Sequence, residues 1–361
     1  MESMEGLKQE FNFFLNKKVF VTGHTGFKGS WLLAVLKELG AEICGYSLPS
    51  PTTPNLFTIA KLSSGIQHIE GDVRDFDLLN RSIKAFQPDV VIHLAAQPLV
   101  IEGYRDPIGT YASNVMGTVN ILESVRRQNK RISFLNVTTD KVYKNKEWVW
   151  GYRENEELNG HDPYSNSKSC SELVTHSFKS SYFIDGFKQI STARAGNVIG
   201  GGDFSENRII PDCVRSALNK TTITVRNPNS VRPYQHVLEP LFAYLLIVAK
   251  QAEDSSYSGS YNVGPNEGDC LKTKELVNLF CKSWGEGLNW TFEKQLDAPH
   301  EANLLRLDIS KIKNNLGWTP VWNARKAIEK TVEWSKIWAS GGDAANAMKN
   351  QINEYLREMN E

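Results

Sequence analysis

Apolar and β-branched residues fall along this chain in short runs, separated by longer stretches in which they recur at helical spacing. Short runs at 18–22, 42–46, 66–70, 90–94, 132–138 and 190–194 predict strands. Stretches at 26–39, 75–86, 110–127 and 164–180 predict helices between them. Regular alternation of this kind implies a parallel sheet covered by helices on both faces. The proline-rich segment 47–56 is expected to be a loop. Beyond Asn197 the rhythm changes: Gly200-Gly201-Gly202-Asp203 marks a loop, after which helices and short strands mix. From Ala324 the pattern is amphipathic helix, expected to end in a charged, frayed terminus. The expected organisation is an extension at 1–16 and a dinucleotide-binding part at 17–196 that carries the catalytic residues. A mainly substrate-binding region follows at 197–345, with elements returning to the first part, and a helical tail at 346–361.

Composition narrows the function classes. The 361 residues suffice for a large core without metal or disulfide support. With 41 basic and 41 acidic side chains in balance, no dominant nucleic-acid or membrane surface is expected. Cys44, Cys170, Cys213, Cys270 and Cys281 are dispersed, with no zinc-ligand spacing, as in a reducing compartment. The opening segment lacks signal-peptide form, so a cytoplasmic protein is expected.

The first chemical signal follows the first predicted strand, where Gly23-His24-Thr25-Gly26-Phe27-Lys28-Gly29 leads into an apolar helix. Such a turn lets backbone approach a pyrophosphate and directs a helix N-terminus at it. The spacing is G-x-x-G-x-x-G, and lysine precedes the last glycine, which excludes a P-loop. Together these features predict an α/β fold, a Rossmann-like doubly wound parallel sheet with a smaller C-terminal substrate-binding region. Asp72 and Val73 end the third strand, where a carboxylate can accept from an adenine amine. Leu94, Ala95 and Ala96 end the fourth, where small residues admit a ribose. Each of these reads equally well as a surface acid or as packing. The acidic residue that normally binds the ribose 2′-hydroxyl after the second strand is missing, replaced by Gly45-Tyr46-Ser47, and no arginine stands nearby for a 2′-phosphate. The residues alone leave NAD and NADP both open.

The second signal is Tyr164-Ser165-Asn166-Ser167-Lys168, which puts Tyr164 and Lys168 one helical turn apart. A lysine cation beside a phenol favours phenolate, which can take a proton from a sugar hydroxyl. Upstream, Thr139, Asp140 and Lys141 stand at a strand's carboxyl end, where open α/β sheets bind ligands.

Taken together, Gly23–Gly29, Asp72, Ala95-Ala96, Thr139, Tyr164 and Lys168 resemble extended short-chain dehydrogenase/reductases acting on nucleotide sugars. Thr139-Asp140-Lys141 resembles the 4,6-dehydratase branch, with Lys141 where thymidine- and guanosine-linked members usually carry Glu. The blocks HLAAQPLV, WVWGYREN, RAGNVIGGGD and RPYQHVLEPL resemble its cytidine-linked members; the base rests on that resemblance alone. The resemblance implies NAD as cofactor, reoxidised in each turnover, against Gly23, Thr25, Gly26, Phe27, Lys28, Gly29, Ser47, Asp72, Val73, Leu94, Ala95, Ala96, Asn114, Thr138, Tyr164 and Lys168. It places substrate against Gln97, Thr139, Asn197, Arg208, Arg232 and His300, the arginines being suited to a diphosphate. Tyr164 would deprotonate the C4 hydroxyl, and Asp140 would protonate the departing C6 oxygen. Lys141 either sheds its proton to act as base at C5 or stays charged and steadies the enolate. A homodimer or homotetramer paired through helices 110–127 and 164–180 is also implied. His93, His236, Trp148 and Trp150 read as structural rather than catalytic residues.

Three other functions compete. A nucleotide-sugar 4-epimerase has no need of Asp140-Lys141, a non-enzymatic dinucleotide binder has no need of Tyr164 and Lys168, and an NADP-dependent reductase would want a 2′-phosphate arginine.

Overall fold

The computed structural model describes residues 10–184, 186–285, 287–293 and 304–359. Its centre is one sheet of seven strands, β1 (Lys18–Thr22), β2 (Glu42–Ser47), β3 (Gln67–Glu70), β4 (Val90–His93), β5 (Ile132–Val137), β6 (Lys188–Ala195) and β7 (Ser260–Val263). All pairings are parallel, in the order β7-β6-β5-β4-β1-β2-β3. Every residue of β4, β5 and β6 is buried, as a sheet covered on both faces requires. The order reverses between β1 and β4, so a crevice opens past their carboxyl ends.

Helices α1 (Phe27–Glu38), α2 (Phe76–Phe86), α3 (Gly117–Arg126) and α4 (Pro163–Tyr182) connect successive strands. Local chemistry starts two of them cleanly. Asp75 caps α2 by accepting from Leu78 N, and Asp162 caps α4 by accepting from Ser165 N, with Pro163 in the first turn.

The helix expected over 110–127 is interrupted. It consists of Pro107–Tyr111, a π-helical turn Ala112–Met116, and α3. Inside that turn the Asn114 side chain grips the loop after β4, accepting from Gln97 N at 2.8 Å and donating to Gln97 O at 3.1 Å. π-Turns often mark such functional positions.

The second half adds α5 (Ile209–Leu218), α6 (Leu238–Glu253), α7 (Thr273–Trp284), α8 (Ala324–Ala339) and α9 (Ala344–Glu358), together with two-stranded ladders. Helices α5, α7 and α8 enclose a separate apolar cluster around Ile210, Leu276, Phe280 and Ile328. Helix α6 instead lies within the main core and is buried almost all round.

The last helix is anchored: Ile352 and Tyr355 are fully buried, while residues 360–361, where fraying is expected, lie outside the described residues. Tyr355 Oη donates to Glu239 Oε2 at 2.8 Å, and the same carboxylate accepts from Trp322 N at 2.6 Å and Val321 N at 3.1 Å. Burial pushes Glu239 up from 4.5 to about 7. Its folded-state value therefore lies above its unfolded one, so stability is fullest below pH 4.5 for this group and is lost as pH rises through about 7. That loss is roughly 3 kcal/mol. Glu239→Gln is expected to flatten the fall in melting temperature between pH 5 and pH 7.5. A slope identical to wild type in calorimetry would refute this.

Candidate active site

The glycine turn sits at the strand crossover. Gly23 has φ +74°, and a Cβ there would fall 2.7 Å from the backbone nitrogen of Ala95. A Cβ on Gly29 would fall 2.2 Å from Gly23 O. These two glycines are required by the protein itself. Gly26 is different: the nearest atom to an added Cβ is Gly23 O at 3.5 Å, so its bareness leaves room beside the N-terminus of α1. A space of this kind at a helix N-terminus, with Phe27 and Lys28 in the first turn, fits a dinucleotide pyrophosphate.

Around it, Thr25 Oγ1 lies 2.9 Å from Ser47 Oγ and donates to Leu48 O at 2.9 Å. The two hydroxyls thus close the tip of β2, where an acidic residue would otherwise stand. Asp72 is engaged by Arg74, which donates from its backbone N and its Nε at 2.8 Å each and holds the carboxyl below its usual range. Val73 is buried, against the place where Gly117 lacks a side chain. Leu94 N donates to Thr22 O at 3.2 Å, and Ala95 N to Thr22 Oγ1 at 3.2 Å; Ala96 follows at the rim.

Past β5 the chain turns through a short 3₁₀ helix, Asp140–Val142. Asp140 is fully buried, and its Oδ1 accepts from Thr139 Oγ1 at 2.9 Å and from Lys141 Nζ at 3.0 Å. Lys141 Nζ also donates to Asn197 Oδ1 at 3.2 Å, drawing the loop after β6 into the cluster. The other carboxylate oxygen, Oδ2, is buried with no hydrogen-bond partner among the described residues.

Tyr164 opens α4, buried in the same region, and burial pushes its phenol up to about 12. Thr139 and Arg208 pull it back down. Lys168, one turn along, donates to Val137 O at 3.2 Å and is lowered by burial to about 8. Beneath them lies Glu172, whose carboxylate accepts from Thr138 Oγ1, from Thr192 Oγ1 at 2.7 Å and from Arg194 Nη2 at 2.9 Å.

Lys28 faces this cluster. It is half-buried, donates to Tyr244 Oη at 3.4 Å, and is lowered to about 7 by desolvation and then by Lys168 and Arg208. Lys28, Lys141, Lys168 and Arg208 therefore bring an excess of positive charge around the one carboxylate of Asp140, an environment suited to an anionic ligand. Asp203 steadies Arg208, accepting from its Nη1 at 3.3 Å.

Some of the remaining candidates are already committed elsewhere. Gln97 donates from Nε2 to Thr110 Oγ1 at 2.8 Å and accepts from Leu99 N at 2.5 Å. Arg232 is buried and donates from Nη1 to Val231 O at 3.0 Å. His300 lies outside the described residues. His93 pairs with Thr22 Oγ1 at 2.7 Å and is lowered to about 3 by burial, as is His236 between Trp31 and Trp322. Trp148 packs on Tyr152, while Trp150 is exposed.

The sequence reading passed over Glu172 and Tyr244. Glu172 carried a signal, standing four positions beyond Lys168 as Lys168 stands four beyond Tyr164. Tyr244 sits in the apolar middle of its helix and carried none.

The sequence profile described as GDP-mannose 4,6 dehydratase matches residues 20–331. Over 351 residues the chain is 45% identical to the CDP-glucose 4,6-dehydratase of Salmonella typhimurium, covering 96% of this chain and 98% of that one. It is 28% identical to a dTDP-glucose 4,6-dehydratase of Xanthomonas campestris, covering 89% and 94%. The dTDP-glucose 4,6-dehydratase of Streptomyces venezuelae, solved with NAD bound, superposes with a TM-score of 0.78 at 22% identity, over 90% of this chain and 99% of that one.

Proposed function

The chain belongs to the GDP-mannose 4,6-dehydratase family, and from that premise we propose that it is an NAD-dependent CDP-glucose 4,6-dehydratase. The observation that carries this reading is the Asp140–Lys141 contact of 3.0 Å held beside Tyr164 and Thr139. A 4-epimerase has no use for such an acid/base pair. The cytidine base is supported by the 45% identical Salmonella relative.

When bound at the glycine turn, NAD supplies the hydride acceptor for C4 and the donor for C6. Tyr164, neutral in the free site and ionised to phenolate for this step, takes the C4 hydroxyl proton while Thr139 steadies that oxygen and Lys168 contributes the positive charge that favours the phenolate. The resulting ketone acidifies the C5 proton. Asp140 and Lys141 share one proton across their contact. Its transfer to the carboxylate leaves a neutral amine able to take the C5 proton and an acid able to protonate the departing C6 oxygen. The two roles open to Lys141, neutral base and charged stabiliser, are then successive states of one pair.

Mass spectrometry of CDP-glucose and dTDP-glucose, each incubated with the protein and catalytic NAD, tests the reading. Loss of one water from the CDP-sugar alone, without net NADH, is expected. An unchanged mass for both would sink it. Because Lys168 must be cationic and loses its proton near 8, kcat is expected to fall as pH rises through about 8. A rate still rising at pH 9.5 would contradict this role.

A homodimer, or a tetramer built from it, belongs to the same proposal. Exposed Ile108, Met116 and Leu173 on the helices flanking β4 and β6 support it, and light scattering at the single-chain mass of 40.7 kDa would remove it. A cytoplasmic location is supported by the free state of the five cysteines, and no helix among the described residues is long and apolar enough to cross a membrane.

A further inference from the structure

The catalytic face of α4 continues one turn past Lys168 to Glu172, a residue that touches neither side of the open crevice. Its side chain is almost wholly buried, and both of its oxygens are used. One accepts a hydrogen bond from the hydroxyl of Thr138, the residue immediately before Thr139. The other takes Thr192 and Arg194, both on β6. A single carboxylate thus ties α4, the end of β5 and β6 together directly beneath Tyr164 and Lys168. Arg194 is itself held by Tyr143 Oη at 2.8 Å and by Glu154 O at 2.9 Å, so the anion cannot swing away.

We propose that Glu172 is the positioning residue of this site: through Thr138 it sets the strand end that presents Thr139, and across one helical turn it keeps Lys168 a cation. This rests on the dehydratase reading for the roles of Thr139 and Lys168. The second half follows from what surrounds the amine. Lys28 on α1 faces Lys168 with like charge, and His93 on β4 is held neutral by burial. Lys141 after β5 adds positive charge offset by Asp140, Tyr164 is a neutral phenol, and Arg194 on β6 lies behind the carboxylate it pairs with. Among these groups Glu172 is the anion whose field favours the charged form of Lys168.

The test is direct titration of Lys168 by proton–carbon correlation spectra of protein carrying lysine labelled at Cε, with its signal identified by Lys168→Met. In Glu172→Gln the midpoint is expected to drop by about one pH unit relative to wild type, and in Glu172→Asp to stay within a few tenths. An unchanged midpoint in Glu172→Gln would overturn the proposal. Should that variant fail to fold with Arg194 left unpaired, Glu172→Gln with Arg194→Met removes both charges, and the same drop or its absence decides. The titration needs no substrate, so it stands even if the dehydratase reading fails. Where wild type does dehydrate CDP-glucose, the alkaline limb of kcat should move down with the titration. A limb that stays fixed while kcat and melting temperature merely fall would mark Glu172 as structural only.

Discussion

Tyr164→Phe is expected to lower kcat for dehydration by about 10²- to 10⁴-fold, the usual contribution of a positioned general base. The substitution keeps the ring that fills the site and removes only the hydroxyl, so the loss is chemical rather than structural. Tyr164 is buried at the start of α4, a helix secured by Asp162 and Pro163, and a phenylalanine there occupies the same volume. In stopped-flow at 340 nm with stoichiometric NAD, the early rise from C4 oxidation should disappear. Cofactor affinity measured by fluorescence should stay within a few-fold. A kcat within tenfold of wild type would assign the C4 proton to another group.

Asp140→Asn acts at a later step, and its signature is opposite in form. Dehydration is expected to slow at least about 100-fold, while C4 oxidation still proceeds. Absorbance at 340 nm should then rise to a plateau instead of passing through a transient. The sugar nucleotide should accumulate two mass units lighter than substrate rather than lighter by one water. The reason lies in the contacts of Oδ1: an amide there still accepts from Thr139, but it can neither take a proton from Lys141 nor pass one on. Undiminished elimination would show that neither step uses the carboxylate.

The contrast between these two variants separates what the amino-acid order made legible from what it did not. Strands β4 and β5 were readable because burial on both faces demands largely apolar runs. Tyr164, Lys168, Thr139 and Asp140 were readable because their chemistry depends on local spacing. Helix α6 hid its identity in the opposite way: buried nearly all round, it has no polar face from which to infer a period. The break at Ala112–Met116 was out of reach because Asn114 makes its bonds 17 positions away, to Gln97. Strand β7 went unread since Ser260 and Asn262 make it look polar, yet Asn262 is fully buried and spends its side chain on Tyr143, Tyr152 and Asp308. The inward turn of Lys28, and the pairing of Glu172 with Arg194 across 22 positions, are likewise products of tertiary structure.

That last strand has a consequence for how the molecule comes into being on the ribosome. The glycine turn, β1, β2 and β4 emerge early and can associate within the first hundred residues made. Asn262, which fixes Tyr143 at 2.6 Å and through it Arg194, is synthesised 119 residues after Tyr143. Until β7 docks on the sheet edge, Tyr143, which holds the partner of the carboxylate under Lys168, lacks its own anchor. Non-local closure of this kind is slow in parallel sheets. A nascent chain therefore assembles its dinucleotide crevice well before it can perform acid–base chemistry, and competence arrives with the final strand.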